Sequence, residues 1–170
     1  MICIFEVSSL EAPEFKRLIH VDSKHTFEDL HRTIQNTCNF DTSQLASFYL
    51  TDHLWRKQIE ISSLDSGSGT PKVRSMRQTK MDEYISEIGQ KLIYVFDFFN
   101  ERFFYLELKE KLMKTDLKEP FVAYEKGLAP VQFLINDYES PEVDLLEVND
   151  SYKSFGELED YYEIFGEMDA

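Results

Sequence analysis

Asp97 is the acid in this chain whose surroundings most invite chemistry. It stands in the run Tyr94-Val95-Phe96-Asp97-Phe98-Phe99, where a carboxylate buried among rings is costly unless it is paired or hydrogen-bonded. Arg102 lies just beyond a turn and is a candidate partner. A carboxylate so placed can be a functional residue with a perturbed pKa; the plainer alternative is an aspartate at a strand end bonding turn amides. His31 completes the candidate polar set. It sits beside an apolar stripe, where an imidazole ordinarily serves packing or hydrogen bonding.

Other constellations point away from catalysis. The histidines, His20, His25, His31 and His53, are scattered. A zinc site asks for two of them at i, i+4 on a helix, or for cysteines at ligand spacing. Cys3 and Cys38 are isolated, which supports neither a zinc site nor a disulfide framework and suggests a reduced, cytoplasmic setting. No serine occupies a Gly-x-Ser-x-Gly elbow, and Gly67-Ser68-Gly69 precedes neither Lys-Ser/Thr nor a helix. The residues thus assign no catalytic group, metal or cofactor.

Charge narrows the partners. The formal net charge is −14, and residues 131–170 contribute 12 Asp or Glu against Lys153 alone, a net of −11. Residues 1–130 hold the other 20 acids and 17 bases, a net of −3. Such a field disfavours non-specific contact with phosphate backbones and anionic membranes. One stretch opposes it: within residues 62–80, SSLDSGSGTPKVRSMRQTK, the cations Lys72, Arg74, Arg77 and Lys80 follow a Ser/Gly-rich lead. It reads as a flexible surface loop or insertion, and its four cations are the candidate nucleic-acid contacts. The N-terminus, MICIFEVSSL, lacks a basic region and a long apolar stretch, and no run approaches the roughly 18 apolar residues of a membrane span.

The elements that must position these residues follow from periodicity. With 42% hydrophobic and 29% charged residues the chain is globular in type. Ile2 to Val7 and Phe15 to Val21 read as a hairpin around the turn at Glu11-Ala12-Pro13. Thr26 with Asp29 makes a variant capping box, opening a helix whose stripe is Phe27, Leu30, Ile34 and Cys38. Leu45 to Leu50 reads as a third strand. A short helix is expected from Lys80 to Ile88, with Met81, Tyr84, Ile85 and Ile88 inward and Gly89 past its end. Lys91 to Phe98 and Arg102 to Lys109 form an aromatic hairpin that should be central in the sheet. Val131 to Ile135 is a further expected strand. Ser154 to Glu157 is a capping box leading an acidic amphipathic helix, with Phe155, Leu158, Tyr162 and Phe165 as its candidate docking face.

A series of short matches adds a family. Leu30-His31, Ile34-Gln35, Phe40-Asp41, Leu45 and Phe48, then Tyr94-Val95-Phe96-Asp97-Phe98 and Gly127-Leu128-Ala129-Pro130, resemble in order the plasmid pRiA4b Orf-three-like family. Pro13-Glu14-Phe15-Lys16-Arg17 is similar to a weakened form of its proline-x-tryptophan-arginine segment. The resemblance covers roughly residues 1–135. Some members of that family are labelled TnpR-like passengers of insertion elements, which implies a mobile-element association. Where the family runs Gly-Asp-x-Trp-x-His after Asp-Phe, this chain has Phe99-Asn100-Glu101-Arg102-Phe103-Phe104. The resemblance therefore implies the fold and no activity.

Together these readings predict an α+β chain with a mixed, mostly antiparallel sheet and helices on one face. Its first half, β-β-α-β, is β-grasp-like. One domain spans 1–140, with a flexible loop at 62–80, and an acidic helical extension spans 141–170. The expected function is a non-catalytic intracellular module that binds another protein. The alternatives are a DNA-associated accessory protein of a mobile element and an uncharacterised hydrolase. A deep polar pocket holding Asp97 and a histidine would count against the interaction-module reading.

Overall fold

The β-branched run Ile2–Ser8 (β1) pairs antiparallel with Lys16–Asp22 (β2), Phe5 opposite Ile19 and Cys3 opposite Val21. These two strands open an eight-stranded sheet in a computed structural model that describes residues 1–64, 73–113 and 116–134. After β2 the chain enters α1 (Phe27–Thr37) through Thr26. The Thr26 hydroxyl accepts from the Asp29 amide at 3.2 Å and the Asp29 carboxylate accepts from the Thr26 amide at 3.0 Å. A cap of this kind contributes about 1 kcal/mol. Asn39, at φ 57°, takes the left-handed conformation that ends the helix.

The remaining strands are Ser47–Thr51 (β3), Lys57–Ser62 (β4), Val73–Ser75 (β5), Lys91–Asp97 (β6), Arg102–Leu112 (β7) and Phe121–Lys126 (β8). Their order is β5-β4-β3-β6-β7-β1-β2-β8. Only the β4–β5 pair is parallel, so the sheet is mixed and mostly antiparallel, as its sequence suggested. The aromatic hairpin, β6 with β7, lies at the centre. β3 pairs with β4 and β6, and the two strands of that hairpin separate it from β1.

One face of the sheet carries the core. Phe5, Ile19, Phe48, Tyr94 and Phe104 meet Phe27, Leu30 and Ile34 of α1, all fully or almost fully buried. The rings interlock: Phe15 lies 5.0 Å from Phe104, Phe96 4.8 Å from Phe104 and Phe48 4.8 Å from Tyr94 between centroids. Each such side chain contributes about 1.5–3 kcal/mol by leaving water, and tilted or offset rings add a few tenths to about 1.5 kcal/mol per pair.

Several expectations need correction. The described part of the 62–80 segment is not a loop throughout. Residues 73–75 form β5, and Met76–Gln78 form a 3₁₀ turn whose Met76 is buried. This stretch is tied to the entry of α1, because the Phe27 amide donates to the Thr79 carbonyl at 3.0 Å. The helix expected at 80–88 is a single 3₁₀ turn, Met81–Glu83. Gln90 explains its brevity: its amide oxygen accepts from the Ser86 and Glu87 amides while its nitrogen donates to the Tyr84 carbonyl. Ile88, expected inward, is exposed. Helices on one face reduce, among the described residues, to α1 and two 3₁₀ turns. The strand expected at 131–135 is absent over 131–134, where main-chain carbonyls accept from Arg102 instead of a strand partner. The C-terminal helix, with Phe155, Leu158, Tyr162 and Phe165, and the cation Lys72 lie outside the described residues. No helix among the described residues is long and apolar enough to cross a membrane.

Candidate functional site

Two buried polar groups use the residues singled out above. The first joins α1 to β6. His31 and Gln35 occupy i and i+4 on the inner face of α1, and Tyr94 points at them from the sheet. The His31 Nδ1 lies 2.7 Å from the Tyr94 hydroxyl, and the Gln35 amide nitrogen donates to the same oxygen at 2.8 Å. Burial pushes the His31 pKa down to about 4 and the Tyr94 pKa well up, so both are neutral near pH 7. A neutral imidazole accepts at one nitrogen. The tyrosine hydroxyl has one proton to give, and Nδ1 accepts it when the imidazole proton is on Nε2. The Gln35 Oε1 is buried without a hydrogen-bond partner.

The second group closes one end of the sheet, and here Asp97 and Arg102 do meet, at 3.4 Å across the β6–β7 turn. Asp97 also accepts from the Asn100 backbone amide at 3.1 Å and from its side-chain amide at 2.9 Å, which shapes the turn. The larger task falls to Arg102. Its guanidinium is 7% exposed and bonds both oxygens of Glu11 through Nε, at 3.0 and 3.1 Å. Its Nη1 donates to the Gln132 carbonyl at 2.8 Å and its Nη2 to the Val131 carbonyl. The underside of the guanidinium rests 4.9 Å from the Phe96 ring centre. His31 takes no part, so the three candidate polar residues divide between two places.

Arg102 has a counterpart that the sequence reading did not single out. Arg17, also buried, donates from Nη1 to the carbonyls of Lys126 and Gly127 at 2.9 and 3.0 Å, and from Nε to the Thr37 hydroxyl at 3.0 Å. Gln132 completes the arrangement by bracketing Asp41, accepting from its amide and donating to its carbonyl at 3.0 Å. Residues 126–132 thus form a strap tied down at both ends, with Ala129 against the core. Gly127 must be glycine: at φ 72° a Cβ would stand 2.3 Å from the Glu14 carbonyl oxygen. The available signal was the pairing of two quoted segments, residues 13–17 and 127–130, which this strap brings together.

The other candidates lie elsewhere. Arg74 sits on β5, 3.7 Å from Glu83 and over the Tyr84 ring. Arg77 lies in the first 3₁₀ turn, and Lys80 is exposed where it bridges to Thr26. His25 accepts from the Asp22 amide through Nδ1 at 3.1 Å, and its Nε2 lies 3.0 Å from the Leu117 carbonyl. The two cysteines are buried and free; burial raises the Cys3 pKa and pushes that of Cys38 up to about 12, which keeps both thiols protonated. Among the described residues no group of three His, Cys, Asp or Glu is placed to hold a metal ion. A surface cleft of about 480 Å³ opens beside α1, lined by Asp29, Arg32, Thr33, Asn36, Glu119 and Val122, with neither Asp97 nor a histidine in its wall.

Comparison with known proteins agrees with this geometry at the level of the fold. A protein of unknown function from Methanosarcina mazei Go1, MM3350, has a similar crystal structure, with TM-score 0.58 and 21% sequence identity over 73% of this chain and 68% of that one. A comparison with curated proteins finds no match. The family model described as plasmid pRiA4b ORF-3-like protein matches residues 6–132, which take in the end of β1, all of β2 and α1, the β6–β7 hairpin, the strap and all the polar anchors just described. The chain therefore belongs to the plasmid pRiA4b ORF-3-like family.

Proposed function

We propose that this chain is a protein-interaction module, built on a β-grasp-like first half in which β1, β2, α1 and β3 share one core. The observation that supports it is the use made of Arg102. The pair with the most chemical promise, Asp97 with Arg102, serves to shape a turn and to hold down a strap. What that anchoring presents to solvent includes four apolar side chains: Phe98 and Phe99 on the turn, Val131 on the strap and Phe133 just past it, all exposed. Exposed apolar residues held on buried polar anchors suit binding better than turnover. The acidic sequence beyond the strap, with Phe155, Leu158, Tyr162 and Phe165, serves in this reading as a docking segment for a basic partner.

The test compares the full chain with a version ending at Pro141, each used to capture protein from lysate of its own source cell. The expected result is one stoichiometric partner, weakened or lost when the acidic segment is removed. Capture of no protein by either form would sink the reading.

A further inference from the structure

The turn from β2 into α1 grips one residue of a distant segment by both of its main-chain groups. The Leu117 amide donates to the Asp22 carboxylate at 3.0 Å, and the Leu117 carbonyl lies 3.0 Å from His25 Nε2. A carbonyl only accepts, so Nε2 carries the ring proton. On its other side the ring is an acceptor, because the Asp22 amide donates to Nδ1 at 3.1 Å. Two main-chain partners of opposite kind thus require a neutral His25 with its proton on Nε2. Imidazole is the side chain whose charge ordinarily changes between about pH 5 and 8, and this one is only half-buried.

The grip has a consequence for the cleft beside α1. Leu117 leads into β8, and Glu119, Pro120 and Val122 line that cleft of about 480 Å³ together with Asp29, Arg32 and Asn36 of α1. A proton on Nδ1 sets one N–H against another where the Asp22 amide now donates. The ring is rigid, so turning Nδ1 away from that amide takes Nε2 off the Leu117 carbonyl. We propose that neutral His25 latches residues 116–120 to the β2–α1 turn, holding one wall of the cleft in place, and that its protonation releases them. The latch involves no partner and stands apart from the interaction-module reading.

The surrounding charges leave this response to His25. Asp22 is the acid bonded into the latch, with Oδ1 accepting from the Lys24 amide and Oδ2 from the Leu117 amide. It can turn to a charged imidazole only by giving one of them up. Burial raises the Asp22 pKa, but those two amides, the Met1 amino group 3.9 Å away and His25 outweigh burial and hold it below the usual carboxylate range. Asp22 therefore stays ionised where an imidazole titrates. Lys24 is paired with Asp116 at 3.1 Å. In α1, Glu28 pairs with Arg32 and Asp29 accepts from the Thr26 amide. The Met81–Glu83 turn donates its Met81 amide to the His25 carbonyl, and its charged Asp82 and Glu83 are exposed, as are Lys80, Lys118 and Glu119.

The experiment follows the full chain by NMR from about pH 7.5 down to about pH 5. The His25 ring nitrogens report tautomer and titration, and hydrogen exchange, corrected for the intrinsic rate at each pH, reports Leu117. The expected result is an Nε2–H imidazole at the upper end, then a loss of at least about tenfold in Leu117 protection that follows the ring's own titration. Amides of β6 and β7 should keep their protection. A nitroxide on Asn36→Cys, the native cysteines being buried, should broaden the Glu119 and Val122 amides less at the lower pH than at the upper. His25→Gln keeps a donor for the Leu117 carbonyl and gains no proton, so its Leu117 protection should be flat over this range.

A ring that stays neutral down to about pH 5, or one that titrates while Leu117 protection holds, would overturn the latch. Both results come from the wild type, so they stand even where His25→Gln fails to fold. A pH response of Leu117 that persists in His25→Gln would overturn it as well. Unchanged broadening while Leu117 is released would overturn the control of the cleft wall.

Discussion

The His31–Gln35–Tyr94 group and the Arg102 group are both buried, yet they solve opposite problems. The first holds neutral polar atoms inside the core and ties α1 to β6 with two hydrogen bonds. The second holds a full charge near the rim and ties a turn, a loop and the strap together through a carboxylate pair and two carbonyls. A neutral group can be buried with a modest number of partners, whereas a guanidinium needs nearly all its donors satisfied. Charge therefore explains why the second group gathers a loop, a turn and the strap around one side chain, whereas the first joins only α1 to β6.

Replacing Arg102 tests that contrast most severely. Arg102→Met should cost about 3–5 kcal/mol, because it strands Glu11, Asp97 and two carbonyls without their donor. A shift of the urea midpoint supports the claim if faster amide exchange accompanies it in residues 126–132. A loss under about 1 kcal/mol would show that the strap holds without the arginine.

The neutral group has its own signature in pH. The folded-state pKa of His31, about 4, lies below the ordinary imidazole value of 6.5, because the ring is buried. Between those values the unfolded chain binds the extra proton, so the stability conferred by a neutral His31 is complete above pH 6.5 and drains away as pH falls toward 4. The loss attributable to this residue should total about 3 kcal/mol. His31→Gln should remove that component, seen as a flatter melting temperature between pH 7 and pH 4.5 than in the wild type. An unchanged slope would place the titration elsewhere.

Smaller changes sharpen the comparison further. Tyr94→Phe leaves the His31 nitrogen and the Gln35 amide without their shared partner and should cost about 1–3 kcal/mol by denaturant unfolding. Gln35→Met removes one hydrogen bond together with the unpartnered Oε1, and should cost less than about 1 kcal/mol. The reverse ranking would mean that Gln35, not the tyrosine hydroxyl, organises the group. Combining Arg102→Met with Tyr94→Phe should give additive losses within about 0.5 kcal/mol, since the two groups share no hydrogen-bond partner.

The legible parts of the sequence were those with a local signature. Thr26 and Asp29 announce a cap, Phe27, Leu30 and Ile34 announce an inner face, and the rings of residues 91–109 announce a central hairpin. β4 and β8 escaped notice. In β4, Lys57 and Gln58 are exposed and polar, and in β8 only Val122 faces the core while the rest lies open on a sheet edge. The candidate site was legible only in pieces. Asp97 and Arg102 are near neighbours in sequence, so their meeting was foreseeable. The roles of Arg17, Glu11 and Gln132 were not, because the main-chain carbonyls that hold the strap do not reveal in sequence which arginines will bind them.

By itself the sequence determined the elements whose hydrophobic period and caps act over a few residues, the family they belong to and the lopsided distribution of charge. Only the tertiary structure decided which strands are neighbours, where β6 and β7 separate β1 from β3, and which distant carbonyls satisfy Arg17 and Arg102. The physical reason is range. A cap or an apolar stripe is satisfied within one turn or one strand, whereas a buried guanidinium takes whatever acceptors the folded chain brings within 3 Å of it, and that set exists only once the chain has closed on itself.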